Sequence, residues 1–284
     1  YYYFTYSCPE YDRIEIRRAW SVKGLEKARP LTVWRKHATG PMSWHIWAPE
    51  LHFINGKWYI YFAAGRSEDP WWIRTYVLEN DSPDPFTGHW EEKGPLIAEW
   101  DSFMLDCTVF ENKGKHYAVW AQKRTERTEN SALFLAQMDS PIQLKLPQTL
   151  LTFPEFDWEC KGFRVNEGPA VLKRNGKIFL TFSASATDAT YCMGMLVADE
   201  NADLTKKESW TKLDKPVLVT DPKAGIYGPG HNSFTTSRDG KDDYLIYHAR
   251  PYAEVDLAFA LYDPNRHTWV KRIRYAADGS PIFQ

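Results

Sequence analysis

Four polar residues recur at one place in a repeating pattern. Glu50, Asp106, Glu167 and His231 stand 6, 8, 9 and 9 residues before Gly56, Gly114, Gly176 and Gly240. Carboxylates gathered in a partly dry cleft raise one another's proton affinity, so one stays protonated at neutral pH while a neighbour stays ionised. Such a pair is equipped to split a glycosidic bond, an acid protonating the leaving oxygen while a base activates water. Taken singly, each residue is equally well explained as a strand-end polar group that satisfies water or backbone. Four in one register weaken that alternative.

The elements that must position them are hairpins. PELHFINGKWYIYFAAG (49–65), DCTVFENKGKHYAVWAQ (106–122), EGPAVLKRNGKIFLTFSAS (167–185) and HNSFTTSRDGKDDYLIYHAR (231–250) each run a strand into a Gly-Lys turn. An alternating aromatic and β-branched strand then returns. The turn glycines are 58, 62 and 64 residues apart, more than one hairpin needs, so each unit holds about two. That is the strand count of a propeller blade. Segments such as IRTYVLEND, SALFLAQMDS and GMLVADENADL supply the outer strands, and the best short helix candidate is 203–210.

YYYFTYS, at the start, matches the returning strand WYIYFAA and has no strand before it. The expected fold is therefore all-β, a five-bladed β-propeller in a single domain over 1–284, its first blade lacking the innermost strand. HTWVKRIRYAADGSPIF, at 267–283, is expected to close the ring as the strand that fastens this first blade. Counting along each blade places the four polar residues on innermost strands.

Composition narrows the partners. With 35 Lys and Arg against 37 Asp and Glu, no basic field recommends nucleic acid or an anionic membrane. No apolar run approaches the roughly 20 residues that span a bilayer. Nothing at the start resembles a leader, so the compartment reading leans cytoplasmic, although a chain that begins inside a domain hides any leader. Cys8, Cys107, Cys160 and Cys192 are scattered without a CxxC pair, and buried free thiols are expected. Aromatics make up 15% of the chain, with 13 Trp and 16 Tyr; they serve β-rich cores and also stack on the apolar faces of sugars.

WAPELHFINGKWYIYFAAG (47–65), LDCTVF (105–110), VNEGPAVL (165–172), YGPGHNSF (227–234) and YHARPY (247–252) together resemble glycoside hydrolase family 43. Within it the chain is most similar to exo-acting α-L-arabinofuranosidases, five-bladed propellers that hydrolyse with inversion. The resemblance implies release of terminal α-L-arabinofuranosyl units from arabinan or arabinoxylan fragments. The alternatives are a β-xylosidase or bifunctional enzyme of the same family, and a noncatalytic sugar-binding propeller. The implied partners are arabinose- or xylose-containing oligosaccharides or polysaccharides.

The resemblance makes Glu167 the general acid and Asp106 the carboxylate that modulates its pKa and orients it. His231 falls where the family places a histidine in the channel near a cation, commonly calcium, reached partly through water. Calcium is thus the one cofactor expected, and no organic one. Since calcium prefers oxygen ligands, a lone His is a thin basis for it. Arg250 resembles an arginine that reaches into the sugar site; its alternative is a structural ion pair. Trp47 is either a wall of the sugar pocket or core, and Glu50 either joins the site or orients Trp47. Trp71 and Trp72 are expected to pack between blades.

One part of the pattern is missing. The family's general base is an Asp on the innermost strand of the first blade, and it is expected upstream of Tyr1. Glu10 and Asp12 follow the second strand, away from the axis, and neither is promoted. Either a segment of about a strand and a turn precedes Tyr1, or the protein binds sugar without turning it over well, since loss of acid–base assistance costs about 10²–10⁴ in rate.

Overall fold

A computed structural model describes residues 1–125 and 127–284. Its strands are β1 (Tyr2–Ser7), β2 (Arg13–Ala19), β3 (Leu31–Arg35), β4 (Pro41–Ile54), β5 (Lys57–Arg66), β6 (Asp69–Asn80), β7 (Glu91–Pro95), β8 (Met104–Asn112), β9 (Lys115–Gln122) and β10 (Ala132–Ser140). They continue with β11 (Gln143–Thr152), β12 (Asn166–Arg174), β13 (Lys177–Ala184), β14 (Cys192–Asp199), β15 (Thr211–Lys212), β16 (Tyr227–Thr236), β17 (Asp243–Arg250), β18 (His267–Arg272), β19 (Arg274–Tyr275) and β20 (Pro281–Ile282). Among the described residues, five sheets of three or four strands follow in chain order, β1–β3, β4–β7, β8–β11, β12–β15 and β16–β18, each a meander of consecutive strands, and β19 with β20 makes a small sixth. The fold is an all-β, five-bladed β-propeller. Each polar residue of the repeat lies on the first strand of its sheet: Glu50 on β4, Asp106 on β8, Glu167 on β12 and His231 on β16.

The chain divides into two compact units, Tyr1–Trp120 with Ala136–Gln148, and Ala121–Leu135 with Thr149–Gln284. In the first, Ile14, Ile16, Ile46, Ile60, Phe62 and Leu78 form a buried core. In the second, Leu172, Phe179, Met193, Met195, Leu245 and Tyr247 do so. Inward residues at every second position, such as Leu245 and Tyr247, are what a pleated strand with one buried face requires.

Three of the Gly-Lys hairpins turn on two left-handed residues, Asn55-Gly56, Lys113-Gly114 and Asn175-Gly176, with φ of 50° and 86°, 52° and 76°, and 54° and 73°. These are the turns whose twist matches paired strands. At Gly240 the connection is longer, closed by Ser237 N–H to Asp242 O at 2.7 Å.

The first strands are bulged at the ends that carry the polar residues. On β4 the pairing with β5 skips between Pro41 and Trp44, Trp44 and Trp47, and Trp47 and Glu50, and Met42, His45 and Ala48 have φ of 57°, 50° and 47°. On β12 the skip lies between Glu167 and Ala170, and on β16 between Tyr227 and Gly230 and between Gly230 and Ser233. Each bulge adds an unpaired residue, bends the strand and re-aims its side chains. Asp106 at φ 54° and His231 at φ 40° are held in this region directly, where non-glycine residues persist only when their surroundings fix them.

The C-terminal segment departs from expectation. β18 pairs with β17, from Tyr244 opposite Arg272 to Ala249 opposite His267, and β19 pairs with β20. Residues 267–272 therefore complete the fifth sheet rather than fasten β1, because β17, with Leu245, Tyr247 and Ala249 in the core, needs a partner on its second edge. The 203–210 stretch contributes a 3₁₀ turn at Lys207–Ser209. All four cysteines are free. Among the described residues no helix is long and apolar enough to cross a membrane.

Candidate active site

Glu167 sits half-buried at the bulged start of β12. The Tyr191 hydroxyl donates to its Oε1 at 2.7 Å. Tyr191 is fixed in turn: its backbone N–H donates to Asp188 O at 3.2 Å, and its ring lies 5.6 Å from the His248 imidazole with 9° between planes. His231 is 6.4 Å from His248, ring to ring, and its backbone N–H donates to Ser183 Oγ at 2.7 Å. Glu167, Tyr191, His231 and His248 thus form one chain of contacts within the second unit.

Glycines make that packing possible. A Cβ on Gly168 would meet the His231 ring at 3.0 Å, one on Gly230 the Tyr191 ring at 2.3 Å, and one on Gly228 the carbonyl of Asp188 at 2.2 Å. The GPGH and NEGP stretches therefore read as close approaches of backbone to side chain. Burial holds the His248 imidazole well below its ordinary value, and the cations of Arg266 and Arg250 and the ring of His231 push the same way. It is neutral at physiological pH.

In the first unit, Asp106 is buried on β8. The neighbouring Cys107 thiol is raised well above its ordinary value, first by burial and then by the carboxylates of Glu50 and Asp106. The His52 Nε2 lies 3.0 Å from Glu50 Oε2. Three residues before Glu50, Trp47 stacks on His45 at 4.2 Å. His45 is held below its ordinary value by burial, its Nδ1 bonded to Pro70 O at 3.0 Å. The Trp47 indole Nε1 is buried without a hydrogen-bond partner among the described residues.

These carboxylates and aromatics are set in a chain whose residues 1–281 match the model of Glycosyl hydrolases family 43. The chain belongs to glycosyl hydrolases family 43. It is 51% identical over 283 residues to an extracellular exo-α-(1→5)-L-arabinofuranosidase of Streptomyces avermitilis, covering 100% of this chain and 59% of that protein. It is 53% identical over 254 residues to the protein of the same name from Streptomyces chartreusis, covering 89% of this chain and 77% of that one. An α-L-arabinofuranosidase crystal structure from Lactobacillus brevis superposes with a TM-score of 0.96 at 50% identity, over 100% of this chain and 90% of that one. The family 43 chain thus spans about 59% of the length of the Streptomyces avermitilis relative. The cytoplasmic lean is overturned, since both Streptomyces relatives are named extracellular.

Arg250 of this family 43 chain is held in a buried ion pair. It is 2% exposed, and each guanidinium nitrogen donates to protein: Nε to Asp263 Oδ2 at 2.5 Å, one terminal nitrogen to Thr187 O at 2.5 Å and the other to Ala260 O at 2.6 Å. Burial alone would raise the Asp263 carboxyl, but the Asn265 N–H, the Tyr252 hydroxyl and Arg250 outweigh it and hold the pKa at about 2. Trp71 departs from expectation. It is 53% exposed and lies 5.1 Å from the His45 ring and 6.0 Å from Trp47, while Trp72 is the packed one, between the guanidinium groups of Arg66 and Arg74 at 4.5 and 4.1 Å.

The surroundings of His231 bear on calcium. Among the described residues no three His, Cys, Asp or Glu side chains converge as a metal site, whereas calcium takes six to eight oxygens. Sequence reasoning missed Tyr191. A signal existed: Glu167 pairs with Ser183 on β13, and Ala184 pairs with Cys192 on β14, so following the hairpin one strand further leads to the residue before Cys192.

Proposed function

We propose that this chain is an inverting exo-acting glycosidase that releases terminal α-L-arabinofuranosyl residues from arabinan or arabinoxylan fragments, outside the cell. The observation that carries this reading is the 51% identity, over the whole chain, to a protein named as an exo-α-(1→5)-L-arabinofuranosidase. Glu167 is the general acid, giving its proton to the leaving oxygen as the bond to the anomeric carbon breaks. Asp106 modulates the proton affinity of that acid and orients it. Water attacks from the opposite face, and its base is assigned to none of the described residues.

Supporting details are local. The Tyr191 hydroxyl fixes one oxygen of Glu167, and a positioned acid contributes typically 10²–10⁴ in rate. Trp47 offers an aromatic face and an unspent indole donor, the pairing that suits a sugar's C–H face and a hydroxyl. His231 lies beside Gly168, the residue after the acid. A water-held calcium ion beside His231 belongs to the reading as a structural ion; added calcium should raise the Tm, and a Tm indifferent to calcium and chelator removes it.

The test is hydrolysis of 4-nitrophenyl α-L-arabinofuranoside and of α-1,5-linked arabino-oligosaccharides, followed by NMR of the first sugar released. Arabinose appearing first as the β-anomer supports the proposal. Retention, or release of xylose in preference to arabinose from matched substrates, refutes it.

A further inference from the structure

A charge pair outside the site lies buried behind the acid. Glu159, 0% exposed, ends the short 3₁₀ turn at Asp157–Glu159. Lys212, on the last strand of the same sheet as Glu167, places its Nζ 2.7 Å from Glu159 Oε1 and donates to Oε2 at 2.8 Å. The Glu155 and Phe156 backbone N–H groups donate to Oε2 at 2.9 Å each. Lys212 also donates to Phe153 O at 2.9 Å and lies 4.9 Å from the centre of the Phe156 ring. Burying such a pair costs several kcal/mol per ion before the partners offset it, and well-packed apolar residues often serve stability as well or better. What an apolar pair lacks is direction.

The direction is spent on Asn166, the residue before Glu167. Its side-chain Nδ2 donates to Glu159 Oε1 at 3.0 Å, and its Oδ1 accepts from the Thr152 hydroxyl at 3.2 Å. Its backbone N–H donates to Ser131 O at 3.2 Å, and its backbone carbonyl accepts from Ser131 Oγ at 3.0 Å. All four polar groups of Asn166 are therefore engaged, immediately before the bulge that aims Glu167. On the other side, Gly168 at φ 54° abuts His231.

We infer that Glu159 and Lys212 are positioning residues for the general acid, acting through Asn166. This inference rests on Glu167 being the acid. Neither residue touches substrate in this scheme. Their effect is on where the Glu167 proton sits relative to the leaving oxygen, and a displacement of about 1 Å is worth on the order of 10²-fold in rate.

The test compares two leaving groups in the folded protein. A general acid matters most for a poor leaving group, such as the sugar of an arabino-oligosaccharide, and little for 2,4-dinitrophenolate, which departs without a proton. Glu159→Gln, and Glu159→Gln combined with Lys212→Met, should lower kcat on α-1,5-arabinotriose by about 10²-fold. On 2,4-dinitrophenyl α-L-arabinofuranoside kcat should change by less than about 3-fold, with KM nearly constant on both, and Lys212→Arg should retain most of the triose activity. Thr152→Val and Ser131→Ala, which loosen Asn166 without touching a charge, should show the same leaving-group signature at about 10-fold and keep the test available if the Glu159 variants do not fold.

Equal losses on both substrates, or no loss on the triose in folded variants, overturn the inference. Glu167→Gln is the control: if it shows no leaving-group dependence, the acid assignment itself fails. If it shows one that the Glu159, Thr152 and Ser131 variants lack, only the positioning role fails.

Discussion

Gly230 faces Tyr191 so closely that a methyl group in place of its hydrogen would lie 2.3 Å from the ring. No real carbon contact is that short, and the ring it would displace is the one whose hydroxyl holds Glu167. Gly230→Ala should therefore cost about 1–3 kcal/mol of stability through overpacking and lower kcat together with it. Urea melts and oligosaccharide turnover on the folded fraction measure both. Turnover unaffected by the substitution would mean that Tyr191 has no part in placing the acid.

Tyr191→Phe separates the hydroxyl from the ring. Stacking on His248 at 5.6 Å is retained, and the bond to Glu167 is lost. A hydrogen bond between neutral groups contributes about 0.5–1.5 kcal/mol, so kcat on oligosaccharides should fall about 2- to 10-fold while the Tm shifts little. A Tm loss with unchanged kcat would make the bond structural.

His248 sets one part of the acid limit of stability. Its folded-state pKa lies well below the ordinary 6.5, so on acidification the unfolded chain takes up a proton that the folded one refuses. Stability from this residue is full above about pH 6.5 and declines as pH falls below it, with a contribution of the same sign from His45. His248→Phe, which keeps an aromatic ring against Tyr191, should remove part of the decline in ΔG of unfolding between pH 6.5 and 5. An unaltered slope in that window would contradict the burial of a neutral imidazole.

Asp263 acts in a lower window. Its carboxyl drops from 3.8 to about 2 in the folded protein, which corresponds to about 2 kcal/mol. That stability is full above about pH 4 and is lost as pH falls toward 2. The difference in ΔG between the protein and Asp263→Asn should narrow by this amount from pH 5 to pH 2. Arg250→Met, which strands the Asp263 charge, should destabilise by about 3–5 kcal/mol with KM of the folded enzyme unchanged; a KM that rises instead would assign Arg250 to the sugar.

The repeat was legible because each blade carries the same local signal. A Gly-Lys turn needs left-handed residues, and Asn55-Gly56, Lys113-Gly114 and Asn175-Gly176 supply them, so counting back from the glycine finds Glu50, Asp106 and Glu167 on first strands. Arg250 was not legible in the same way. Its acceptors are Asp263 and the carbonyls of Thr187 and Ala260, 10 to 63 residues away in loops that have no repeat. The same holds for Glu159, whose partners come from residues 155, 156, 166 and 212. Trp71 and Trp72 are neighbours of one type on a strand, and only the pleat, which sends them to opposite faces, separates the exposed ring from the one between two arginines. The C-terminal segment misled because any β-rich stretch can serve either of two open edges, and sequence does not rank them.

The hairpin tips have a practical corollary. Around Gly56, Gly114, Gly176 and Gly240 there is nothing within 4 Å of an added Cβ. Peptide tags, fluorophores or cellulose-anchoring modules spliced into these loops would meet no neighbouring atoms at the point of insertion. A library of such insertions offers a way to immobilise the protein on solid biomass without disturbing a packed core.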